Sequence, residues 1–256
     1  MNIEETKKIT LSLIDTFYEA GHVALNLRRA GLKKEIKTDN TPVSNGDIEV
    51  NKILIKRISE TTPNIAIVSE ENTAHKNDKD LKDFWLIDPI DGTRDYINNR
   101  DEFTLNAALI INKKPVIGII TAPAKKRVFY SYGLSNSYEL VNDQEISLID
   151  KKKDQANITA VSYSDELKPK ILEIHMKYKV TSHQKMKSSL KFCVVAAGEF
   201  DLYVAEPRAC EWDIAAGHAI LEHAGGKITD FNGDEILYGK PNFINPSLIL
   251  RNKNIL

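Results

Sequence analysis

The sequence has little cysteine and no long apolar run, and both shortages exclude classes of protein. Only two of the 256 residues are cysteines, Cys193 and Cys210, and their separation matches no zinc or redox spacing. Cys193 lies in an apolar run, which predicts a buried thiol. No stretch approaches the roughly 18 apolar residues of a membrane span, and the first residues form no apolar signal segment. We therefore expect a cytoplasmic protein without an integral membrane segment.

The chain also lacks an excess of charge of either sign. Its 35 basic and 36 acidic residues leave a formal net charge of −1. Such a chain has no overall field that would recruit a polyanion or a membrane surface. We therefore expect no nucleic-acid partner, and an anionic small molecule must be met by a local site.

Apolar periodicity predicts two helices followed by a block of strands. Apolar residues at intervals of three and four indicate a long first helix that Gly31 ends. A second helix is expected from about Gly46, with Ser44 or Asn45 as its cap. Strand-like runs then occur at 65–69, 84–87, 103–111, 115–121, 127–132 and 137–141.

A polar stretch at 142–157 predicts a boundary between two lobes, 1–150 and 151–256. In the second lobe, strand-like and helix-like segments alternate, among them a predicted helix at 165–179 and a predicted strand at 178–182. This alternation is typical of α/β layering.

Two aspartates directly follow one of the apolar strands. In "WLIDPIDGT", Asp88 and Asp91 share one short turn, and no basic residue adjoins them before Arg94. Either acid alone fits a turn or a helix cap. Two carboxylates about 4 Å apart, however, repel by about 4 kcal/mol at an effective dielectric constant near 20. A bound divalent cation would remove that repulsion.

Two further acids occupy comparable positions. Glu70 follows the strand that ends at Ser69, and Asp213 lies at a predicted helix start. Alone, Glu70 fits an exposed loop and Asp213 an ordinary cap. If the strands ending at Ser69 and Ile87 are neighbours, their acids emerge at one sheet edge, where ligands bind in α/β proteins. Oxygen ligands without histidine or cysteine favour Mg²⁺ or Mn²⁺.

The residues after Asp91 are suited to a phosphate. Gly92 allows close backbone approach, and a helical turn starting at Thr93 would direct N–H groups at an anion. Phosphatases that form an aspartyl-phosphate also carry a motif ending in Asp-Gly-Thr, but with their aspartates two apart. The spacing of three here disfavours that alternative, which a phosphoenzyme trapped on Asp88 would support.

Three separated motifs, "EE" (70–71), "WLIDPIDGT" (85–93) and "EWDIAAG" (211–217), resemble the Mg²⁺-dependent, lithium-sensitive phosphatases. This superfamily includes inositol monophosphatases and fructose-1,6-bisphosphatases. The resemblance covers nearly the whole chain and implies an alternating α-β-α-β-α sandwich with the active site between the lobes. Further stretches resemble the 3′(2′),5′-bisphosphate nucleotidase branch: "KTDNTPVSNGD" (37–47), "EFTLNAALI" (102–110), "SSLKFCVVAAGEFDLY" (188–203) and "INPSLI" (244–249).

The resemblance also implies a set of metal ligands. Glu70, Asp88 and the backbone carbonyl of Ile90 would hold one Mg²⁺, while Asp88, Asp91 and Asp213 would hold a second. Two or three ions per site are expected, with Mn²⁺ as an alternative. Lithium inhibition is a further expectation.

The same resemblance assigns the hydrolytic residues. Asp47 would accept the Thr93 hydroxyl proton, so that Thr93 and Glu70 orient and deprotonate the attacking water. Asp91 and the amides of Gly92 and Thr93 would contact the substrate phosphate. The implied reaction is in-line attack by a metal-activated water, without a phosphoenzyme.

The expected substrate is adenosine 3′,5′-bisphosphate, which would lose its 3′-phosphate, with 3′-phosphoadenylyl sulfate as a further candidate. Its second phosphate needs a cation, and the resemblance assigns Ser188 and Lys191 to it, with His183 near the base. Without the resemblance, these residues fit a helix cap, a solvated helix position and a loop.

The chain departs from that branch in one place. Ala205 occupies the position of an expected arginine, and Arg208, three residues later, could supply the charge. Glu211 could instead touch a sugar hydroxyl. The alternatives are therefore an inositol or other sugar-phosphate phosphatase and a catalytically silent nucleotide-binding regulator. A monomer and a homodimer both remain open.

Overall fold

The computed structural model describes residues 1–37, 40–72, 81–142, 144–151 and 157–256. The described residues contain helices that cover or separate two large sheets. None of these helices has both the length and the apolar composition that a membrane crossing requires. The α-helices are α1 (Ile3–Ala30), α2 (Asn45–Thr61), α3 (Thr93–Ile97), α4 (Pro169–Lys177), α5 (Leu190–Ala196) and α6 (Glu211–His223).

The strands form one hairpin and two sheets. The hairpin pairs β1 (Lys34–Ile36) with β2 (Pro42–Ser44). The larger sheet has the order β3-β4-β5-β6-β7-β8-β9, and the smaller has the order β11-β10-β12-β14-β13. Their strands are β3 (Ala66–Ser69), β4 (Phe84–Asp91), β5 (Thr104–Ile111), β6 (Lys114–Ala122), β7 (Arg127–Gly133), β8 (Asn136–Val141), β9 (Gln144–Ser147), β10 (Thr159–Ser162), β11 (Ser182–Lys185), β12 (Leu202–Ala205), β13 (Lys227–Thr229) and β14 (Leu248–Arg251).

Local signals explain the ends of the first two helices. Asn2 and Glu5 form a capping box at the start of α1, and Gly31 follows its end with a positive φ of 98°. Of the two predicted caps of α2, Ser44 and Asn45, the cap is Ser44, whose side chain accepts from the backbone of the first turn. The first helix ends at Gly31 and the second is capped at Ser44, as predicted.

The elements stack in five layers. Helices α1 and α2 pack on one face of the seven-stranded sheet, whereas α5 and α6 lie between its other face and the five-stranded sheet. Helix α4 packs on the outer face of the second sheet through Ile174, next to Leu202 and Val204. The α-β-α-β-α sandwich predicted from the family resemblance is therefore confirmed. Cys193 is fully buried between the layers, as predicted.

The strand that carries the aspartates extends further than predicted. We expected it to end at Ile87 and the acids to lie in a loop, but β4 continues to Asp91, with a register shift between Asp88 and Asp91. Residues at such an irregularity can redirect a side chain while the strand continues. The two strands are neighbours, which was the condition for their acids to emerge at one sheet edge: β3 pairs in parallel with β4, and Ser69 lies opposite Ile87.

Several predicted boundaries in the second half differ from the structure. Helix α4 begins only at Pro169, because proline fits the first turn of a helix and disfavours helix in the residue before it. The strand expected at 178–182 is replaced by β11, Ser182–Lys185. The predicted boundary stretch 142–157 contains β9, which pairs with β8. Residues 143 and 152–156 of that stretch lie outside the described residues.

The division into lobes 1–150 and 151–256 stays a prediction. The described strands of the larger sheet all precede residue 150, and those of the smaller sheet follow it. Helix α6, however, comes from the second segment and packs on strands β4 to β8 of the first. The position of Asp213, in the first turn of α6, therefore depends on how closely this helix approaches the larger sheet.

A substitution at Gly118 tests how closely α6 approaches the larger sheet. A Cβ atom at Gly118 in β6 would lie 2.3 Å from the backbone oxygen of Ala216 and 2.9 Å from the Cβ atom of Ala219, both in α6. We expect Gly118→Ala to lower the free energy of unfolding by about 2 kcal/mol or more, because backbone atoms cannot move aside easily. Urea denaturation measures the change.

Gly21→Ala is the matched control. Its Cβ atom would lie 3.0 Å from the Pro123 side chain and 3.6 Å from the Thr121 side chain, and its three nearest neighbours include no backbone atom. Because alanine also favours a helix interior by about 1 kcal/mol, we expect little net change. Equal stability of Gly118→Ala and the wild type would contradict the close packing of α6 on β6.

Candidate active site

Three carboxylates from different elements meet at the edge of the larger sheet. One oxygen each from Glu70, Asp88 and Asp213 lie within 4.8 Å of one another. Glu70 directly follows β3, Asp88 lies near the end of the parallel neighbour β4, and Asp213 is the third residue of α6. The result is an oxygen-only cluster of the kind that Mg²⁺ and Mn²⁺ prefer.

Asp91 lines the same cavity as these three acids. Its Oδ2 atom accepts a hydrogen bond from the Ser189 hydroxyl at 2.6 Å. The backbone of Ile90 connects the two aspartates, because its N–H donates to Asp88 Oδ1 at 3.1 Å. The structure therefore brings the predicted metal-ligand residues to one place, with Asp91 beside the three closest oxygens.

The electrostatics of the cluster favour a bound cation. Burial raises the pKa of Asp88 well above its ordinary value, and the charges of Glu70, Asp91 and Asp213 raise it further. Burial, followed by the charges of Asp91 and Glu70, raises the pKa of Asp213 to about 8. Burial also raises the pKa of Glu70, although Lys37 opposes the shift. A divalent cation would stabilise the ionised forms, so the residues present fit such an ion.

Asp47 and Thr93 lie next to the cluster and contact each other. The Thr93 hydroxyl is 3.0 Å from Asp47 Oδ1 and 3.0 Å from the carbonyl oxygen of Ile90. Asp47 Oδ2 accepts from the backbone N–H of Ser44 at 2.8 Å and from its hydroxyl at 2.6 Å. Asp47 therefore closes the capping box of α2 with one oxygen and faces Thr93 with the other.

A turn suited to an anion follows Asp91. Gly92 has a positive φ of 92°, and Thr93 is the first residue of the short helix α3. A Cβ atom at Gly92 would approach the backbone oxygen of Glu102 to 3.0 Å. Glycine is therefore suited to this turn both by its conformation and by the space available.

Lys37 is a charged neighbour that sequence reasoning did not single out. Its ammonium group lies 3.3 Å from Glu70 Oε1 and 2.5 Å from Glu71 Oε1. The two ion pairs reduce the negative charge on the outer side of the cluster. The only sequence signal was its place at the start of the "KTDNTPVSNGD" stretch.

A group of cations lies on the other side of Asp91. Arg208 Cζ is 3.6 Å from the centroid of the Tyr163 ring, and Lys187 Nζ is 3.3 Å from it. Lys191, only 5% exposed, lies 5.9 Å from the same centroid. Burial lowers the pKa of Lys191 to about 8. Among the described residues, none of these three cations forms a side-chain ion pair, so an anion would be favourable here.

Two adjoining cavities connect the acids with the cations. One is lined by Glu70, Asp88 and Thr93, and the other by Lys191, Tyr203 and Ala205. The shared wall consists of Asp91, Tyr163, Ser188, Arg208 and Asp213. Sequence reasoning missed Tyr163, which lies in this wall, and Lys187, which lines the cavity of the acids. No motif marks either residue, and only the folded chain brings them to the site.

Two predicted selectivity residues lie elsewhere. His183 is exposed on the edge strand β11, and its Nε2 atom is 3.0 Å from the carbonyl oxygen of Asp165. Glu211 is fully buried, and its carboxylate accepts from the backbone N–H groups of Gly239 and Lys240 at 2.8 and 2.9 Å. It also pairs with the Lys240 ammonium at 2.6 Å. Neither residue lines the two cavities, and a contact of Glu211 with a sugar hydroxyl stays a prediction.

The fold and the site together define a class of protein: a layered α/β protein with an acidic cluster able to bind divalent cations. The family model described as the inositol monophosphatase family matches residues 5–255. The chain therefore belongs to the inositol monophosphatase family, as the motifs predicted.

Individual relatives refine this placement. The 3′(2′),5′-bisphosphate nucleotidase CysQ of Salmonella typhimurium is 34% identical over 213 residues, which cover 82% of this chain and 85% of the relative. The protein of that name from Aggregatibacter actinomycetemcomitans is 31% identical over 96% of this chain and 93% of its own. The crystal structure of CysQ from Bacteroides thetaiotaomicron superposes with a TM-score of 0.77 at 28% identity, covering 95% of this chain and 97% of that one.

The raised carboxylate pKa values predict how pH and metal affect stability. Acids whose pKa is raised by folding bind more protons in the folded state than in the unfolded state, so stability falls as pH rises through that range. For Asp213 the range runs from the ordinary aspartate pKa of 3.8 to the raised pKa of about 8. We expect the Tm of the metal-free protein to fall over this range, and the Tm increase caused by MgCl₂ to grow with pH. Differential scanning calorimetry measures both.

Asp88→Asn is the control for this effect. It removes the central charge of the cluster, so the metal-free variant should be more stable than the metal-free wild type near pH 8, while MgCl₂ should stabilise it less. A Tm increase with Mg²⁺ that is independent of pH would contradict the electrostatic description.

Proposed function

We propose that the protein is a Mg²⁺-dependent phosphomonoesterase that removes the 3′-phosphate from adenosine 3′,5′-bisphosphate, with 3′-phosphoadenylyl sulfate as a further substrate. One observation carries the proposal: an acidic cluster and a group of cations that form no side-chain ion pair within the described part of the chain line two adjoining cavities that share a wall. A substrate with two separated phosphates has the charges that this pair of cavities accommodates. The names of the curated relatives support the same substrate.

The metal ligands follow the family pattern. Glu70, Asp88 and the carbonyl oxygen of Ile90 would hold one Mg²⁺, and Asp88, Asp91 and Asp213 would hold another. Bound Mg²⁺ supplies Lewis-acid stabilisation of phosphoryl charge and lowers the pKa of water at the site. Two ions are assigned to residues here, and Mn²⁺ has the same ligand preference.

The remaining roles belong to the protein itself. Asp47 accepts the hydroxyl proton of Thr93, which lies 3.0 Å away, and so fixes the direction of the Thr93 oxygen lone pairs. Thr93 and Glu70 then orient the attacking water and take up its proton. The N–H groups of Gly92 and Thr93 donate to the phosphoryl oxygens on which charge accumulates.

The cation group binds the second phosphate. Lys191 and Ser188 line its cavity as the family pattern implies, and Arg208 lines it although Ala205 stands where the arginine was expected. Arg208 thus supplies from the next loop the charge that β12 lacks. Lys187 extends the same positive region along Tyr163.

Parallel assays of phosphate release test the function. We expect Mg²⁺-dependent release from adenosine 3′,5′-bisphosphate and much slower release from inositol 1-phosphate. Release from inositol 1-phosphate alone would favour the sugar-phosphate alternative, which the alanine at 205 supports. Release from neither, with retained nucleotide binding, would favour a silent regulator.

The metal-ligand assignment has its own test. We expect Asp91→Asn to abolish turnover at any practical Mg²⁺ concentration, because a neutral amide cannot replace the charge of a carboxylate ligand. The same holds for Asp88→Asn. Glu222→Gln, in the last turns of α6 and away from both cavities, is the control and should keep wild-type turnover. Near-normal activity of either aspartate variant would contradict the assignment.

The second-phosphate site predicts a change in selectivity. We expect Arg208→Ala to raise KM for adenosine 3′,5′-bisphosphate by about tenfold or more, since a charge-assisted hydrogen bond contributes roughly 1.5–3 kcal/mol. The value of kcat/KM for adenosine 3′-monophosphate, which lacks the second phosphate, should change little. Equal effects on both substrates would place Arg208 outside a phosphate-selective role.

The cytoplasmic location stays a prediction, as does the choice between monomer and homodimer. Both are independent of the assays above.

A further inference from the structure

One buried serine contacts both sides of the acidic site. Ser189 is 1% exposed and lies at the start of α5. Its hydroxyl oxygen is 2.6 Å from Asp91 Oδ2 and 2.5 Å from the backbone carbonyl oxygen of Asp213. Asp91 belongs to the larger sheet, whereas Asp213 belongs to α6. A single hydroxyl therefore links the two elements that carry these acids.

An amide from the neighbouring strand orients this hydroxyl. Asn106 Nδ2 donates to Ser189 Oγ at 2.9 Å, and Asn106 lies opposite Asp88 in the pairing of β4 with β5. The amide occupies one lone pair of Ser189, so the hydroxyl proton points away from Asn106. A hydroxyl has one proton and donates to Asp91 or to Asp213 at a given moment, while it stays in contact with the other.

The backbone that presents Ser189 is itself restrained. Ser188 has a positive φ of 55°, a left-handed conformation that costs a non-glycine residue about 1 kcal/mol or more. The buried Lys191 ammonium donates to the Ser188 carbonyl oxygen. Strained backbone of this kind persists where the surroundings hold a side chain in place.

We propose that Ser189 is a positioning residue that holds Asp91 and Asp213 at the separation needed for cation binding, with Asn106 as its support. The proposal rests on the proposed metal site and does not make Ser189 a ligand. Asp91 and Asp213 repel each other, so the outer oxygen of Asp91 needs a donor to keep its carboxylate turned toward the cluster. Loss of such an outer hydrogen-bond partner typically costs about 10- to 100-fold in metal affinity.

Metal binding without substrate tests this role directly. Isothermal titration calorimetry of the metal-free protein with MgCl₂, and separately with MnCl₂, gives a Kd for each ion. We expect Ser189→Ala to raise both Kd values about tenfold or more. In activity assays, the Mg²⁺ concentration for half-maximal rate should rise by a similar factor, while KM for the nucleotide at saturating Mg²⁺ changes little.

Ser137→Ala is the matched control. Ser137 is also fully buried, and its hydroxyl donates to another backbone carbonyl of α6, that of Ile220, at 2.8 Å. It lies away from the acids, so the variant loses a comparable hydrogen bond and should keep wild-type Kd values. An equal loss of metal affinity in both variants would show a general packing effect and overturn the proposal.

Asn106→Ala keeps the test decisive if Ser189→Ala does not fold. We expect it to weaken Mg²⁺ binding by a smaller factor, and the double variant to bind no more weakly than Ser189→Ala alone, because both changes act through one hydroxyl. Wild-type affinity in Ser189→Ala, or in Asn106→Ala, would overturn the proposal. Absence of Mg²⁺ binding by the wild type would instead defeat the proposed metal-dependent function.

Discussion

The mutual repulsion of enclosed carboxylates is the constraint on which this structure depends. Oxygens of Glu70, Asp88 and Asp213 lie within 4.8 Å of one another, and burial strengthens their repulsion by excluding water. A single flexible loop would relieve this repulsion by moving apart. Here the acids come from a strand end, a neighbouring strand and a helix, and the packing of α6 on the sheet prevents separation. Packing of the core thus keeps these carboxylates close together. Only protons or a cation can neutralise their charge.

Asp47 and Asp213 each cap a helix and also belong to the candidate site. Asp47 and Asp213 are each the third residue of a helix, and each accepts a hydrogen bond from the backbone at the cap position. In both cases Oδ2 makes the capping contact. The other oxygen of Asp47 faces Thr93. The alternatives weighed from the sequence, a helix cap or a site residue, therefore do not exclude each other, and the cap fixes the direction of the carboxylate.

The predictable parts of the site are those whose residues lie close together in the sequence. Apolar runs indicated two strands, and the closely spaced charges of Asp88 and Asp91 indicated a cation site at the end of one of them. Ser189, Tyr163 and Lys187 were not recognised, because their importance arises from contacts with distant segments. Glu211 is a further case, because its buried carboxylate accepts from the backbone N–H groups of Gly239 and Lys240, two contacts that its place at a helix start does not reveal.

Arg208 shows why selectivity is harder to predict than metal binding. A metal ligand must meet strict distances, so its position in the motif changes little, whereas an anion can be attracted by any cation that reaches its cavity. Ala205 leaves β12 without the expected charge, yet Arg208 lines the same cavity and lies 3.6 Å from the centroid of the Tyr163 ring. In the proposed function, a second phosphate would be attracted by the cations that line its cavity, whatever their positions in the sequence. A chain with a net charge of −1 can therefore place Lys191 and Arg208 in one cavity beside a second cavity that is lined by Glu70 and Asp88.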